Sequence, residues 1–549
     1  MHNNQLFPGF HLQEILQFLL EPIVRVCHFV AQFRLLAVLI AFISSAYAEA
    51  PYRAWQFHNL DMEYVSTAMV KATQYEINTV VFSHGMIGET SQLFDGSERG
   101  EQLRQLAEQA HGLGLRAWIW VHELDNVPEK FLLNKVVQMD RPGFWRWLEL
   151  RYEQVFASYP EFDGLILTFH ETQYPVFRDD RVQSRLSKPD RFARMISTIH
   201  KVCSRYKKDF IVRTFLYEPI ELQWVKEGLL QCDSGVIVQS KCVPHDWDPY
   251  YPPNPLIGAF PKNRQIIEFD CSSEFTGKNR VPYTSPEYFE RHWRFDLSQP
   301  GVVGYNARVD HGGHDAIYTP NEINLYALYR LTADATVTAS DIWQEWTSKH
   351  YGNDAAAKIR DVLFPSYAII NKTFFPLHFW TTNKSVLPSF KYANGHISER
   401  TLAKWIPDQP FYKDLEERLN HPDPLLLEQI MAERDTTVAM AQEALLALQA
   451  AKPLINQDQY DDLYWRLELL LHTTLVWKAH LEAFFGYKVI LEGHQVPGLP
   501  ERVQRSINTL FRLADVSEKN TRILGKSPAS AREIRAAASE LQSLLRKLE

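Results

Sequence analysis

Residues 163–173 read DGLILTFHETQ, in which Asp163 and Gly164 open an uncharged, largely apolar run that closes on His170 and Glu171. A run this apolar belongs in a protein interior. A carboxylate at its tip therefore asks for a strand buried on both faces whose far end opens onto chemistry. Other segments repeat the pattern: YRAWQFHN (52–59), NTVVFSH (78–84), LRAWIWVHE (115–123), DFIVRTF (209–215), SGVIVQSK (234–241), RQIIEFD (264–270) and GVVGYNAR (301–308). Helical patterns separate them, such as GEQLRQLAEQAHGLG (100–114), where Leu and Ala recur three and four residues apart before Gly112 and Gly114. Eight apolar strands alternating with amphipathic helices predict an α/β fold, a (β/α)8 TIM barrel.

In such a barrel the C-terminal strand ends carry the site. Here they deliver His58, His84, His122 with Glu123, His170 with Glu171, Arg213, Lys241, Asp270, and Asn306 with Arg308. One polar concave face is the consequence. Past about residue 319 the strand signal vanishes. Residues 426–452, 460–490 and 532–549 read as helices, with loops marked by Pro422, Pro424, Pro453, Pro497 and Pro500. The chain thus divides into an export segment (1–48), a catalytic barrel (49–318) and an α-helical C-terminal domain (319–549). The expected role of the last is structural, covering the barrel flank or forming a homodimer surface, with a share in the substrate cleft as the alternative.

The 549 residues carry a net charge of −8, and no block of Lys or Arg stands out, which argues against nucleic acid or an anionic membrane as partner. Fourteen Trp, 24 Tyr and 20 His suit sugar faces and an aromatic core alike. After Arg34, LLAVLIAFISSAYA ends in a small-x-small site at residues 46–48. The run is shorter than the roughly 20 residues that span a bilayer, so cleavage of a signal peptide is expected, with a periplasmic or secreted product. Membrane attachment follows only if the segment stays uncleaved. Of the cysteines beyond it, Cys203, Cys232, Cys242 and Cys271, the pair Cys242 and Cys271 follow adjacent strands. They are the candidates for a disulfide, with buried thiols as the other reading.

Three carboxylates fall at the predicted catalytic face: Glu171 after strand four, Asp246 in KCVPHDWDP and Glu274 in EFDCSSEFTG. Cleaving a glycosidic bond takes a proton donor for the leaving oxygen and a carboxylate that activates water or attacks carbon, and separate strands can set the two across a sugar. Arg213 and Lys241 end neighbouring strands. Either they pair with Glu171 and Asp246 or they clamp a substrate carboxylate, Arg supplying a bidentate fork. Trp247, His58, His122, His170 and His311 complete the candidate sugar contacts. His311 and His314 with His245 and Asp246 lack any recognisable metal-ligand spacing, and there is no phosphate loop, GxSxG elbow or Cys/His nucleophile pattern. No metal or organic cofactor is expected.

The stretch VIVQSKCVPHDWDPYYPPNPLIGAFPKNRQIIEFDCSSEFTG resembles the strand 6 to strand 7 segment of glycoside hydrolase family 67, the exo-acting α-glucuronidases of xylan breakdown. Lys241, Pro244, Asp246, residues 255–259, Pro261, Lys262, Glu268 and Glu274 stand in register with that family's pattern. DGLILTFHETQ is similar to its strand ending in the general acid, IVRTFLYEP to the strand whose Arg holds the uronate, and NEINLYALYRL to the entry into its helical domain. The resemblance implies that Glu171 donates the proton, that Asp246 and Glu274 flank and activate water with inversion, and that Arg213 and Lys241 hold the uronic carboxylate. Inverting carboxyl pairs stand about 6.5–9.5 Å apart. Leu167 and Thr168 occupy the place of a further uronate-binding lysine, and the family's N-terminal β-rich domain has no room here. The expected activity is an exported, inverting, exo-acting glycosidase on an α-linked uronic acid in polysaccharide degradation, its partner an acidic oligo- or polysaccharide. The alternatives are the same fold acting on another sugar, or a barrel that binds carbohydrate without catalysis.

Overall fold

The computed structural model describes residues 51–548 apart from 88–92, 94–96, 312–313 and 383. The predicted export segment lies outside the described residues. All eight runs are strands: β1 (Tyr52–Phe57), β2 (Thr79–Phe82), β3 (Arg116–His122), β4 (Gly164–Thr168), β5 (Asp209–Arg213), β6 (Val236–Lys241), β7 (Gln265–Asp270) and β8 (Val302–Arg308). They pair in parallel and in chain order, and β1 closes on β8 through the register Tyr52↔Gly304 to Gln56↔Arg308. Gly304 is needed at this seam, because a Cβ there would overlap the backbone oxygen of Tyr52.

The two-residue pleat explains how an apolar strand comes to carry a charged tip. Tyr52, Ala54, Val81, Trp118, Ile166, Ile211, Ile237 and Ile266 point inward and fill the lower barrel. Two residues further along the same strands come Gln56, Trp120, Thr168, Arg213, Gln239, Glu268 and Asn306, a buried polar layer. Its members bond to one another in part, Gln56 Nε2 and Asn306 Oδ1 having no hydrogen-bond partner among the described residues. Trp120 Nε1 donates to Thr168 Oγ1 (2.7 Å), Gln239 Nε2 to Glu268 Oε2 (3.2 Å), and Asn306 Nδ2 to both Gln56 Oε1 (2.9 Å) and Gln239 Oε1 (3.1 Å). The alternate residues, among them Trp55, Phe57, Ile119, Leu165, Val212, Val238, Phe269 and Tyr305, are buried against the helices. Each such side chain contributes about 1.5–3 kcal/mol of burial.

Helices α1 (Met62–Thr73), α2 (Glu98–Gly112), α3 (Phe144–Ser158), α4 (Lys188–Arg205), α5 (Ile220–Leu229), α6 (Pro286–Leu297) and α7 (Glu322–Ala333) surround the barrel. The helix that follows β8 therefore lies beyond residue 318, tied to α1 by Lys71 Nζ and Glu322 Oε2 at 2.7 Å. One expected repeat is irregular: residues 242–264, between β6 and β7, hold no helix. Pro244, Pro249, Pro252, Pro253, Pro255 and Pro261 remove the backbone donors and the α conformation that a helix there would need.

Helices continue from Ala339–Tyr351 to Ala531–Leu545, the longest being Pro424–Ala451 and Gln457–Leu491. The Gln457–Leu491 helix is buried on nearly every side along its second half, so it shows no single apolar stripe. Among the described residues no helix is long and apolar enough to cross a membrane. Cys203, Cys232, Cys242 and Cys271 are free thiols. The rim disulfide considered for Cys242 and Cys271 is not formed, and the Cys242 Sγ lies 3.5 Å from the Tyr288 hydroxyl instead.

Candidate active site

A cavity of about 350 Å³ opens at the C-terminal end of the barrel, and Glu171, Asp246, Glu274, Arg213, Lys241, His58 and His311 all line it. Seven residues proposed from strand ends and loops thus converge on one pocket. Arg213, the last residue of β5, is buried and held from two sides. Its Nε and Nη2 donate to Glu268 (2.6 and 3.1 Å) from beneath, while Nη1 donates to Glu171 Oε2 (3.2 Å) and the guanidinium lies 4.6 Å over the Trp120 ring. Lys241 Nζ donates to Asp246 Oδ1 (2.8 Å), and Arg400 Nη1 donates to Asp246 Oδ2 (2.9 Å). Arg308, at the end of β8, donates to Glu274 Oε2 (3.0 Å).

Arg213 pairs with Glu171 and Lys241 with Asp246, one of the two arrangements expected from sequence. Most of the Arg213 fork is committed to Glu268, a residue 0% exposed whose role sequence reasoning left unassigned.

The charges follow from this pairing. Burial pushes the Asp246 carboxyl up, yet Lys241, His245 and Arg400 outweigh it and hold the group well below the ordinary carboxylate range. Burial likewise raises Glu274 and Glu268, and is outweighed at Glu274 by Arg308 and His311 and at Glu268 by Arg213, Lys241 and Arg308, so both end below their usual value. Asp246 and Glu274 are therefore carboxylates at neutral pH, able to orient or deprotonate water. Glu171 differs in access, its side chain being 37% exposed at the cavity wall.

The histidines form an aromatic floor. His84 stacks on His122 at 4.2 Å, and His58 meets Trp120 and His311 edge-on at 5.5 and 5.6 Å. Burial, reinforced by Arg308, keeps His58 well below its usual pKa and lowers His311 to about 4. They present neutral imidazoles, which can donate to and accept from sugar hydroxyls.

Three of the proposed sugar contacts do not line the cavity. His170, 2% exposed, turns away beyond β4 to meet Glu221 Oε1 at 3.1 Å among Phe169, Phe177 and Tyr217. Trp247 is buried beneath the cations, its ring 4.5 Å from Lys241 Nζ. His122 supports His84 from behind.

Other wall residues were not chosen from sequence as site residues. Phe215, Tyr217 and Arg308 sit at or just beyond strand ends, and Lys384, Tyr392 and Arg400 come from the C-terminal region. Ser385, beside Lys384, ties that region to the barrel: its Oγ donates to the Glu274 carbonyl (2.8 Å) and accepts from Gly277 N (2.8 Å). The C-terminal helices thus supply cleft wall as well as cover. The numerous ionisable side chains of residues 375–405 carry no pattern that singles these out.

Residues 144–312 match the family model described as the glycosyl hydrolase family 67 middle domain. Among solved structures, the chain is similar to a GH138 enzyme targeting pectin rhamnogalacturonan II, with a TM-score of 0.57 and 10% identity over 91% of this chain and 68% of the other. It is also similar to a GH115 4-O-methyl-α-glucuronidase with specificity for decorated arabinogalactans (TM-score 0.48, 11% identity, 88% and 61% coverage) and to an O-GlcNAc hydrolase of Thermobaculum terrenum (0.43, 11%, 91% and 95%). Comparison with curated proteins gives no match. With a closed eight-stranded barrel and the family match falling on the segment that carries Glu171, Asp246 and Glu274, the chain is a glycosidase-type barrel distantly related to glycoside hydrolase family 67.

Proposed function

We propose that this protein is an exported glycosidase that removes an α-linked uronic acid from the end of an acidic oligo- or polysaccharide, with inversion. The observation that carries the reading is the charge of the cavity wall. Arg213, Lys241, Arg308, Lys384 and Arg400 surround three carboxylates that lie in the segments following three different strands, β4, β6 and β7. In this reading Glu171, the carboxyl open to the cavity, protonates the leaving oxygen. Asp246 and Glu274, held ionised, position and activate the attacking water. Lys384 Nζ, 60% exposed and 3.8 Å from the nearest Glu274 oxygen, is the cation with the loosest commitment and meets the uronate first. It offers a positive charge at the mouth, whereas Leu167 and Thr168, buried in β4, offer none in place of the lysine of the resembling family. Export and dimerisation belong to the same proposal, in which the barrel unit runs through α7 rather than ending at residue 318.

One observation favours a second reading, the same chemistry on another sugar. Glu268 and the three wall carboxylates already partner Arg213, Lys241, Arg308 and Arg400, which leaves little uncompensated charge for a uronate.

The test is release of reducing sugar from acidic and neutral oligosaccharides, glucuronoxylan fragments included, by the purified chain lacking residues 1–48, followed by NMR of the first anomer. A β-uronic acid released from an α-linkage is the expected product. Hydrolysis confined to neutral substrates selects the second reading, and silence on all of them by folded protein rejects catalysis.

A further inference from the structure

A second cavity of about 640 Å³ lies in the helical region, lined by Tyr460, Tyr464 and Trp465 together with Lys452, Arg522 and Lys526. Tyr460 and Tyr464 share one face near the start of the Gln457–Leu491 helix, their centroids 5.7 Å apart at a 31° tilt, with Trp465 on the adjoining side. Each ring carries a cation: Lys452 Nζ 4.6 Å over Tyr460, Arg522 Cζ 5.1 Å over Tyr464 and Lys526 Nζ 4.1 Å over Trp465. Among the described residues Lys452 and Lys526 have no carboxylate in ion-pair range, and Arg522 reaches only Glu468 at 3.9 Å. Asp461 is the one acidic residue in the lining. Burial and the neighbouring Arg466 lower the Lys526 pKa, against Asp462, which raises it. Cations over aromatic rings with few carboxylates in direct reach, on a chain of net charge −8, mark a concave surface suited to an anion with flat, partly apolar faces.

We propose that this cavity is a second binding site for the acidic polysaccharide itself. Lys452, Arg522 and Lys526 would take its carboxylates, while Tyr460, Tyr464 and Trp465 pack against sugar rings. The choice of ligand rests on the acidic-substrate reading of the barrel. Two hydrogen bonds link the helical region beside this cavity to the segment that follows Glu274: Arg466 Nη1 donates to the Asn279 carbonyl (3.0 Å) and Arg280 Nη1 to the Gly525 carbonyl (3.3 Å). Retention of a polymer here holds its chain ends near the barrel mouth.

The experiment is affinity electrophoresis of the full chain and of a Lys452→Ala/Lys526→Ala variant in gels containing glucuronoxylan, polygalacturonate, neutral xylan or DNA. Each protein is also assayed on a short aryl uronide too small to bridge the sites. Retardation by the acidic polysaccharides but not by neutral xylan, weakened about tenfold in the variant with the short-substrate rate unchanged, is expected. Equal retardation of both proteins, none of the wild type, or equal retardation by DNA overturns the second site. No turnover of the uronide, with variant-sensitive retardation intact, removes the barrel reading and still supports this one.

Discussion

Replacing Glu268 by Gln removes one negative charge from a fully buried group and leaves its shape nearly intact. In the wild type this carboxylate accepts two hydrogen bonds from Arg213 and one from Gln239. The glutamine keeps one acceptor but turns an amide toward a guanidinium or toward the Gln239 amide. Breaking a buried pair through one partner costs about 3–5 kcal/mol. The lower figure is a factor of roughly 150 in the folding equilibrium, at about 1.4 kcal/mol per decade. Urea unfolding should show the midpoint falling with the slope unchanged.

The cost has a pH signature. The folded-state pKa of Glu268 is depressed, so its stabilisation is present above the unfolded value of about 4.3 and is lost as pH falls through the folded value. The gap between wild type and variant should therefore be constant near neutrality and close below about pH 4. Adding Arg213→Met to Glu268→Gln should recover part of the stability, because the orphaned cation is then gone. A midpoint unmoved within about 0.5 kcal/mol, or a double variant showing simple addition, would refute the claim that this pair organises the polar layer.

Glu171→Gln should cost least on substrates whose leaving group departs without protonation, and uniform loss across leaving groups would assign Glu171 another role. Asp246→Asn should lower kcat/KM by about 10²–10⁴-fold with folding retained by circular dichroism, and near-wild-type turnover would remove Asp246 from the chemistry. His170→Gln should lower the melting temperature and leave KM unchanged, since His170 pairs with Glu221 away from the cavity; a raised KM would restore it as a sugar contact. Gly304→Ala should destabilise the barrel by about 1–3 kcal/mol or more, read by thermal unfolding, because the added methyl meets the Tyr52 backbone.

Each barrel strand was legible because burial on both faces leaves a continuous apolar run, a pattern few other folds produce. The strand ends identified the mouth for the same reason, and the pleat carried Arg213, Lys241 and Arg308 to it. His170 misled because it lies two residues beyond Thr168 and so keeps the pleat phase of β4, but the strand ends at Thr168 and the alternation no longer applies. Glu268 was overlooked because its importance lies in what it pairs with 55 positions away. Arg400 is further still, 154 positions from Asp246, on a helical segment whose own periodicity speaks only of its local packing. The proline-rich 242–264 stretch forecast its missing helix locally, although the regular alternation around it suggested a complete unit.

Asp246 is neutralised by two cations of different descent, Lys241 from the barrel and Arg400 from the helices that follow it. Such a carboxylate cannot be transplanted with the barrel alone. A gene fragment ending at the last barrel helix would encode a site lacking one counter-ion and part of its wall, so recombination that swapped the helical region for an unrelated module would have to replace Arg400 as well. The two regions thus meet on the two oxygens of one carboxylate, Lys241 at Oδ1 and Arg400 at Oδ2, and a chain that exchanged one region without the other would lose a counter-ion at the pocket.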